Sequence, residues 1–307
     1  MSQTTSNILM VRPAAFFYNE ETAANNSFQS NEGIETEDEI SYIARKEFDN
    51  AVKILRDHHI NVEVHEDSPE PPKPDAIFPN NWFSTHQGNI FITYPMWAEN
   101  RRIERSEALI EQLEKSYIVD KRYHFEFMEE ENLFLEGTGS MILDRVNKIV
   151  YACLSPRTDI RALDRFDVLM KYRKNVFHAY DENGGLIYHT NVMMAVADQY
   201  VIVCLECIRD EKERKQLVSD IAATDKEIIE INPQQVNLFA GNMLQVENKF
   251  GETFLVMSQT AHSSLYFEQL VLLKKYNKLI VIDIPTIEKY GGGSIRCMMA
   301  EIFLKPR

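Results

Sequence analysis

The sequence predicts an α/β fold built from five similar units closed into a ring. Two observations carry that reading. Short runs rich in branched apolar residues alternate with amphipathic helical stretches along the whole chain. A small or polar residue also recurs at the start of a strand–turn–strand segment, usually followed by a helix. These openers are Asn81, Gly139, Asn191, Asn242 and Cys297, separated by 58, 52, 51 and 55 positions. One hairpin and one helix cannot bury a face alone. Five of them in a ring bury a common core and bring all five openers to one central place.

Taken in order, helical spacing predicts helices over 36–58, 98–116, 159–173, 209–223 and 261–276. Ile40, Ile43, Ala44, Phe48, Val52 and Leu55 form the apolar stripe of the first, and Ala108, Leu109 and Leu113 that of the second. Strands are predicted over 8–11, 90–94, 140–143, 149–153, 192–196, 200–205, 253–257 and 279–282. The proline-rich acidic stretch 66–74 is a surface loop. Gly184-Gly185 and the glycines at 291–293 break regular structure. No linker is long enough to divide the chain, so one catalytic domain over 1–307 is expected.

Composition narrows the partners. Hydrophobic residues make up 44% and charged residues 26% of 307 positions, the balance of a soluble globular protein with ample core. Asp and Glu outnumber Lys and Arg by 47 to 33, a net charge of −14. Such a surface repels phosphate backbones and anionic lipid, which speaks against nucleic acid and membrane as partners. No apolar run reaches the roughly 18 residues of a membrane span. The start, Met1-Ser2-Gln3-Thr4-Thr5-Ser6, has neither the basic nor the apolar region of a secretory leader. Four cysteines are too few for a disulfide framework, so a reducing cytoplasmic location is expected.

Among those cysteines, Cys153 ends a predicted strand and reads as core. Cys204 and Cys207 form a Cys-x-x-Cys, but Cys204 sits in a Val/Ile strand and no second pair exists to complete a metal site. Cys297 follows Gly291-Gly292-Gly293-Ser294-Ile295-Arg296, where backbone can approach a ligand closely and Arg296 can favour a thiolate. Of eight histidines, His189 stands two positions before the opener Asn191. It is thereby placed to reach the same centre as Cys297, with His86 and His124 as alternatives. Glu136 precedes the opener Gly139 by three positions and has no helix face to solvate it. Burial there requires a partner such as a histidine or a substrate N–H.

Cys297 after its Gly-Gly-x-x-Arg lead, His189 in His-Thr-Asn and Glu136 in Leu-Glu-Gly-Thr-Gly resemble the catalytic signature of the guanidino-group-modifying enzymes, the pentein superfamily. The resemblance runs from Met10-Val11-Arg12-Pro13 to the C-terminus. It implies a five-bladed, pseudo-symmetric α/β propeller, the pentein fold, in agreement with the five-unit repeat. Within the superfamily the chain is most similar to citrulline-utilising hydrolases, often labelled amidinotransferases. Arginine deiminases carry aspartates where this sequence has Asn191 and an asparagine of Phe78-Pro79-Asn80-Asn81. An amide offers both donor and acceptor and suits a neutral urea, whereas paired carboxylates suit a guanidinium. Succinylarginine dihydrolases also use asparagine near that place, and Asp75 can supply a carboxylate.

The resemblance thus implies a hydrolase of a ureido or guanidino amino acid, with citrulline, cleaved to ornithine, ammonia and CO2, as the leading substrate. Cys297 attacks the central carbon, His189 is the acid and base, and Glu136 orients His189 or accepts a substrate N–H. Asn81 and Asn191 hold the head group, and Arg12 or Arg296 pairs with the α-carboxylate. Phe78 and Trp82 wall the pocket. No metal or organic cofactor is implied. The expected partner is a small amino-acid substrate, and a homo-oligomer is allowed. A guanidinium hydrolase, an amidinotransferase and a non-catalytic binding protein on the same scaffold remain as alternatives.

Overall fold

Strand β1 (Asn7–Arg12) is followed by the helix Glu37–Asp57 and then by β2 (Asn61–Glu66), which lies parallel to β1. A parallel pair requires such a crossover. This computed structural model describes residues 2–307; Met1, with which the leader reading begins, lies outside them. Thr36 caps the helix in a reciprocal box with Glu39. The helix buries Ile40, Ala44, Phe48, Val52 and Leu55 against Ile8 and Met10. Each of the larger side chains contributes about 2 kcal/mol on full burial. Ile43, read as part of the stripe, is exposed instead.

The unit then repeats. An antiparallel hairpin of β3 (Phe83–His86) and β4 (Ile90–Thr93) leads through a helix to β5 (Lys121–His124), parallel to β4. β6 (Ile142–Asp144), β7 (Ile149–Cys153) and β8 (Arg173–Phe177) follow the same plan. So do β9 (Met194–Val196), β10 (Tyr200–Val203) and β11 (Glu227–Glu230), and then β12 (Leu244–Glu247), β13 (Thr253–Ser258) and β14 (Lys278–Ile282). The last strand, β15 (Ala300–Glu301), pairs antiparallel with β1 and completes the first sheet. Five three-stranded sheets result, each with its helical crossover, which is the five-part α/β propeller of the pentein fold.

Several boundaries differ from the sequence reading, each for a local reason. The stretch 98–116 divides into a 3-10 turn, Glu99–Glu104, and a helix, Glu107–Ser116, because the Ser106 side chain caps a fresh start at Leu109 N. The stretch 261–276 divides into Gln259–Ser264 and Phe267–Tyr276, the second begun by Gln269 reaching back to Tyr266 N. The helix from Ile160 stops at Met170, where Lys171 turns left-handed and frees Arg173 to begin β8. Residues 140–143 and 192–196 start late as strands, since Gly137–Ser140 and Thr190–Val192 form helical turns at the centre of the ring. The loop at 66–74 is largely exposed, as read. No helix among the described residues is long and apolar enough to cross a membrane.

Candidate active site

The five openers meet where the ring closes on itself. Nδ2 of Asn191 lies 3.3 Å from Sγ of Cys297, and Nδ2 of Asn242 lies 3.2 Å from it. Asn242 also donates to the backbone carbonyl of Asn191 at 3.0 Å. A Cβ added to Gly139 would stand 2.6 Å from Asn81 Nδ2 and 2.7 Å from His189 Nδ1. Glycine is therefore what lets the amide and the imidazole come together over that backbone.

Cys297 is carried by the turn after the helix Pro285–Gly291. That helix ends at Gly292 in the left-handed region (φ 60°), the usual terminator of a helix. Ser294 donates to Glu288 at 2.6 Å, and Cys297 N bonds Ser294 O at 2.9 Å, so the turn is braced at both ends. Cys297 is 4% exposed as a residue.

His189 is held by Glu136: Nε2 to Oε2 is 2.8 Å. The other carboxylate oxygen accepts from Trp97 N at 2.9 Å, and Arg157 Nη1 stands 3.6 Å from Oε2. Both groups are buried. Burial alone would push the Glu136 carboxyl up, but the Arg157 charge, the His189 hydrogen bond and Arg101 outweigh it and hold the group at about 2. Burial pulls His189 down to about 4, against the opposing pull of Glu136 and with help from Arg157 and Arg101. At neutral pH this is a carboxylate beside a neutral imidazole whose Nε2 carries the proton.

Cys297 and His189 face a narrow cavity of about 10 Å³, close to the least that holds one water. Asp75, Phe78, Asn81, Arg101, Arg157 and Tyr188 line it with Cys297 and His189. Asp75 Oδ2 accepts from Asn19 and Thr22 at 2.7 and 3.2 Å, while Oδ1 has no protein partner. Asn191 Oδ1 is likewise buried and unpaired. Arg101 forks onto Glu104 at 2.8 and 2.9 Å and donates to Asn81 Oδ1 at 2.9 Å. Arg157 donates to Asn25 Oδ1 and to Thr22 O. Residues 19–30 roof the cavity: Ser30 N bonds Lys289 O at 2.8 Å, and Phe28 packs on Tyr188 and Phe239. Ser27 and Phe28 also line an outer cleft of about 400 Å³.

The geometry thus brings together Cys297, His189, Glu136, Asn81, Asn191 and Asp75. It does not bring Arg12 or Arg296. Arg12 sits at the surface end of β1, forked on Asp49 at 2.7 and 2.9 Å, away from the cavity. Arg296 is buried but turned to the far side of the Cys297 backbone, where it meets Met299 O at 3.1 Å and Glu301 at 3.5 Å. Neighbours in a tight turn point apart, so its charge is taken up by Glu301 rather than by the thiol. Trp82 packs into the core on Phe83 and leaves Phe78 to wall the cavity. Of the alternative histidines, His86 is bonded to Ser84 in the core and His124 is exposed beside Glu126. Cys153 is core; Cys204 and Cys207 are free thiols 3.2 Å apart.

Sequence reasoning missed Arg101, Arg157 and the sulfur contact of Asn242. Arg101 sits in Glu99-Asn100-Arg101-Arg102, which reads as solvated helix. Arg157 follows a loop proline with no local signal. Asn242 was marked by the repeat alone.

The fold has counterparts. A family model described as N,N dimethylarginine dimethylhydrolase, eukaryotic, matches residues 12–304. The N-terminal domain of ArgZ, an arginine dihydrolase from the ornithine-ammonia cycle in cyanobacteria, bound to substrate, superposes with a TM-score of 0.76 at 13% identity, over 97% of this chain and 98% of that one. Unliganded AgrE gives 0.73 at 16%, over 98% of this chain and 40% of its own. A dimethylarginine dimethylaminohydrolase adduct with S-methyl-L-thiocitrulline gives 0.64 at 15%, over 98% and 100%. No curated protein matches in sequence.

Proposed function

We propose that this chain, a hydrolase of non-peptide C–N bonds that belongs to the family described as eukaryotic N,N dimethylarginine dimethylhydrolase, removes the terminal nitrogen of a ureido amino acid, citrulline foremost. One observation carries the reading. Cys297, a Glu136-held His189 and the amide of Asn81 line one narrow cavity, with the amide of Asn191 on the sulfur. The thiol gives its proton to His189, and the sulfur adds to the central carbon. His189 passes that proton to the departing nitrogen, which leaves as ammonia, and a carbamoyl thioester remains. His189 then takes a proton from water, hydroxide displaces the sulfur, and the carbamate product loses CO2 to leave ornithine. Glu136 keeps the imidazole oriented throughout. No cofactor enters, and residues 1–307 act as one catalytic domain.

Charge favours a neutral head group. Asp75 is the one carboxylate lining the cavity, against the two guanidiniums of Arg101 and Arg157. The groups touching the sulfur are neutral amides. A guanidinium brought there would be buried with little to balance it, which costs several kcal/mol. Arg101 and Arg157 fit the α-carboxylate instead, the role first assigned to Arg12 or Arg296. The unpaired Asp75 Oδ1 favours a second reading, a guanidinium substrate such as the arginine of the ArgZ dihydrolase.

The test is a substrate panel assayed for ammonia and ornithine, run in ¹⁸O-labelled water. Ammonia and ornithine released with no amine added mark hydrolysis, with label entering any ureido product that keeps its carbonyl; products formed only by transfer to an added amine mark an amidinotransferase. Cys297→Ser is expected to lower turnover by a thousandfold or more, on the order found for other nucleophiles. Asn191→Asp and Asn81→Asp are expected to lower the citrulline-to-arginine ratio of kcat/KM. A wild type that prefers arginine, or a ratio the Asp variants leave unmoved, selects the guanidinium reading.

A further inference from the structure

We infer that Asn242 is a catalytic residue: its side-chain amide, with that of Asn191, receives the sulfur of Cys297 as a thiolate. The inference rests on the reading of Cys297 as nucleophile and deepens it.

The orientation of the Asn242 amide is fixed from both sides. Its Oδ1 accepts from the backbone N–H of Arg296 at 3.1 Å, a contact that only an oxygen can make. Its Nδ2 then has two hydrogens to place. One goes to the backbone carbonyl of Asn191 at 3.0 Å, the other to Cys297 Sγ at 3.2 Å. A flipped amide would set N–H against N–H at Arg296 and oxygen against oxygen at Asn191. Asn242 is 1% exposed, so no water offers its Nδ2 another acceptor. Asn191 adds a second donor at 3.3 Å.

Two N–H donors on one sulfur, with no acceptor in hydrogen-bond reach among the described residues, suit a thiolate. A thiol would need somewhere to direct its own hydrogen, and it is a weak acceptor. The charged groups around the sulfur do not supply the same service. Arg296 is turned to Glu301 behind the turn. Arg101 and Arg157 hold Glu104, Asn25 and Glu136 and donate nothing to the sulfur. Asp75 would repel an anion. Tyr188 donates its hydroxyl to Gly292 O at 2.8 Å. His189 keeps one nitrogen on Glu136 and serves as the proton's destination. When the S–H bond breaks, the proton moves to His189 and the electron pair stays on sulfur under the two amides. It is then spent on the bond to carbon. When water later releases the product, the same two donors receive the sulfur again. Because Arg296 N holds Asn242, the residue before the nucleophile sets the donor that serves it.

The test reads the sulfur directly. Iodoacetamide labelling of Cys297, mapped by peptide mass, is followed against pH in wild type, Asn242→Ala and Asn242→Asp. The labelling midpoint is expected to move up by about one unit in Asn242→Ala, a tenfold loss of thiolate at fixed pH, and further in Asn242→Asp, which keeps the shape but aims an oxygen at the sulfur. Turnover should fall with it, and the acid limb of kcat/KM should shift by the same amount. A purely structural asparagine would lower activity or stability while leaving both midpoints in place, and that result overturns the inference. Should either variant fail to fold, the wild-type-minus-Cys297→Ser absorbance at 240 nm reports the thiolate in the intact protein. The same difference taken for the variant that folds is expected to move to higher pH, and a band left in place overturns the role. If Cys297→Ser keeps turnover, the nucleophile reading has failed, and the labelling midpoints still report the amide contact.

Discussion

Oε2 of Glu136 binds Nε2 of His189 at 2.8 Å, and Nη1 of Arg157 reaches toward the same oxygen at 3.6 Å. One buried carboxylate therefore holds the imidazole in a single tautomer and leaves Nδ1 to exchange protons. Glu136→Gln keeps the size and loses the charge. It is expected to lower kcat on the order of a hundredfold or more, as when a histidine loses the carboxylate that sets its tautomer. Steady-state kinetics with circular dichroism separates this from unfolding; a variant with wild-type kcat would remove Glu136 from the mechanism.

The same pair ties stability to pH. His189 is held at about 4, below its ordinary 6.5, so its contribution is complete above 6.5 and is lost as pH falls from there to 4. Glu136, held at about 2 against 4.5, contributes fully above 4.5 and is lost as pH falls toward 2. Glu104, pushed up to about 7 by burial against the opposing pull of Arg101, acts oppositely: its contribution is complete below 4.5 and is lost as pH rises to 7. Between 4.5 and 6.5 the two slopes offset, and below 4.5 the protein should lose Tm steeply. Glu104→Gln is expected to expose the His189 slope, with Tm falling from pH 6.5 downward. A Tm in that variant that stays level from 6.5 to 4.5 would count against the histidine assignment.

Gly139→Ala would set a methyl group 2.7 Å from His189 Nδ1 and 2.6 Å from Asn81 Nδ2. The expected outcome is a loss of about 1–3 kcal/mol in stability from overpacking and a larger loss in kcat, since the displaced groups are the reacting ones. Urea unfolding and kinetics on one preparation compare the two. Equal activity to wild type would mean that the helical turn yields without cost.

The cavity beside Cys297 is narrow, about 10 Å³, and Thr22 and Asn26 line it, so substrate entry is expected to displace residues 19–30. Phe28, packed on Tyr188 and Phe239, is the apolar latch of that roof. Phe28→Ala is expected to raise KM and to speed iodoacetamide labelling of Cys297 severalfold at fixed pH. A labelling rate that does not change would place the entrance elsewhere.

Much of this was legible in the sequence because pseudo-symmetry is written as spacing. The openers at 81, 139, 191, 242 and 297 recur since each unit must bring one residue to the centre, and the hairpins followed from branched apolar runs. The third strand of most units was harder to see. β2, β5, β8 and β11 are edge strands with half-exposed sides, and charged residues such as Lys121, Arg122 and Glu227 hide their alternation. The proposed catalytic trio was visible through its position relative to the openers. Arg12 and Arg296 were named from the segments that carry the resemblance, whereas the cavity takes its cations from Arg101 and Arg157, which arrive from separate units and are buried in the ring.

The first sheet ties two distant parts of the chain together. β1 is the first strand, whereas its antiparallel partner β15 follows Cys297, with Ile8 opposite Glu301. The other four sheets each take three strands from consecutive chain; this one takes its third from the segment that carries the proposed nucleophile. The pairing that closes the ring is therefore also the pairing that anchors the sulfur beneath the amides of Asn191 and Asn242.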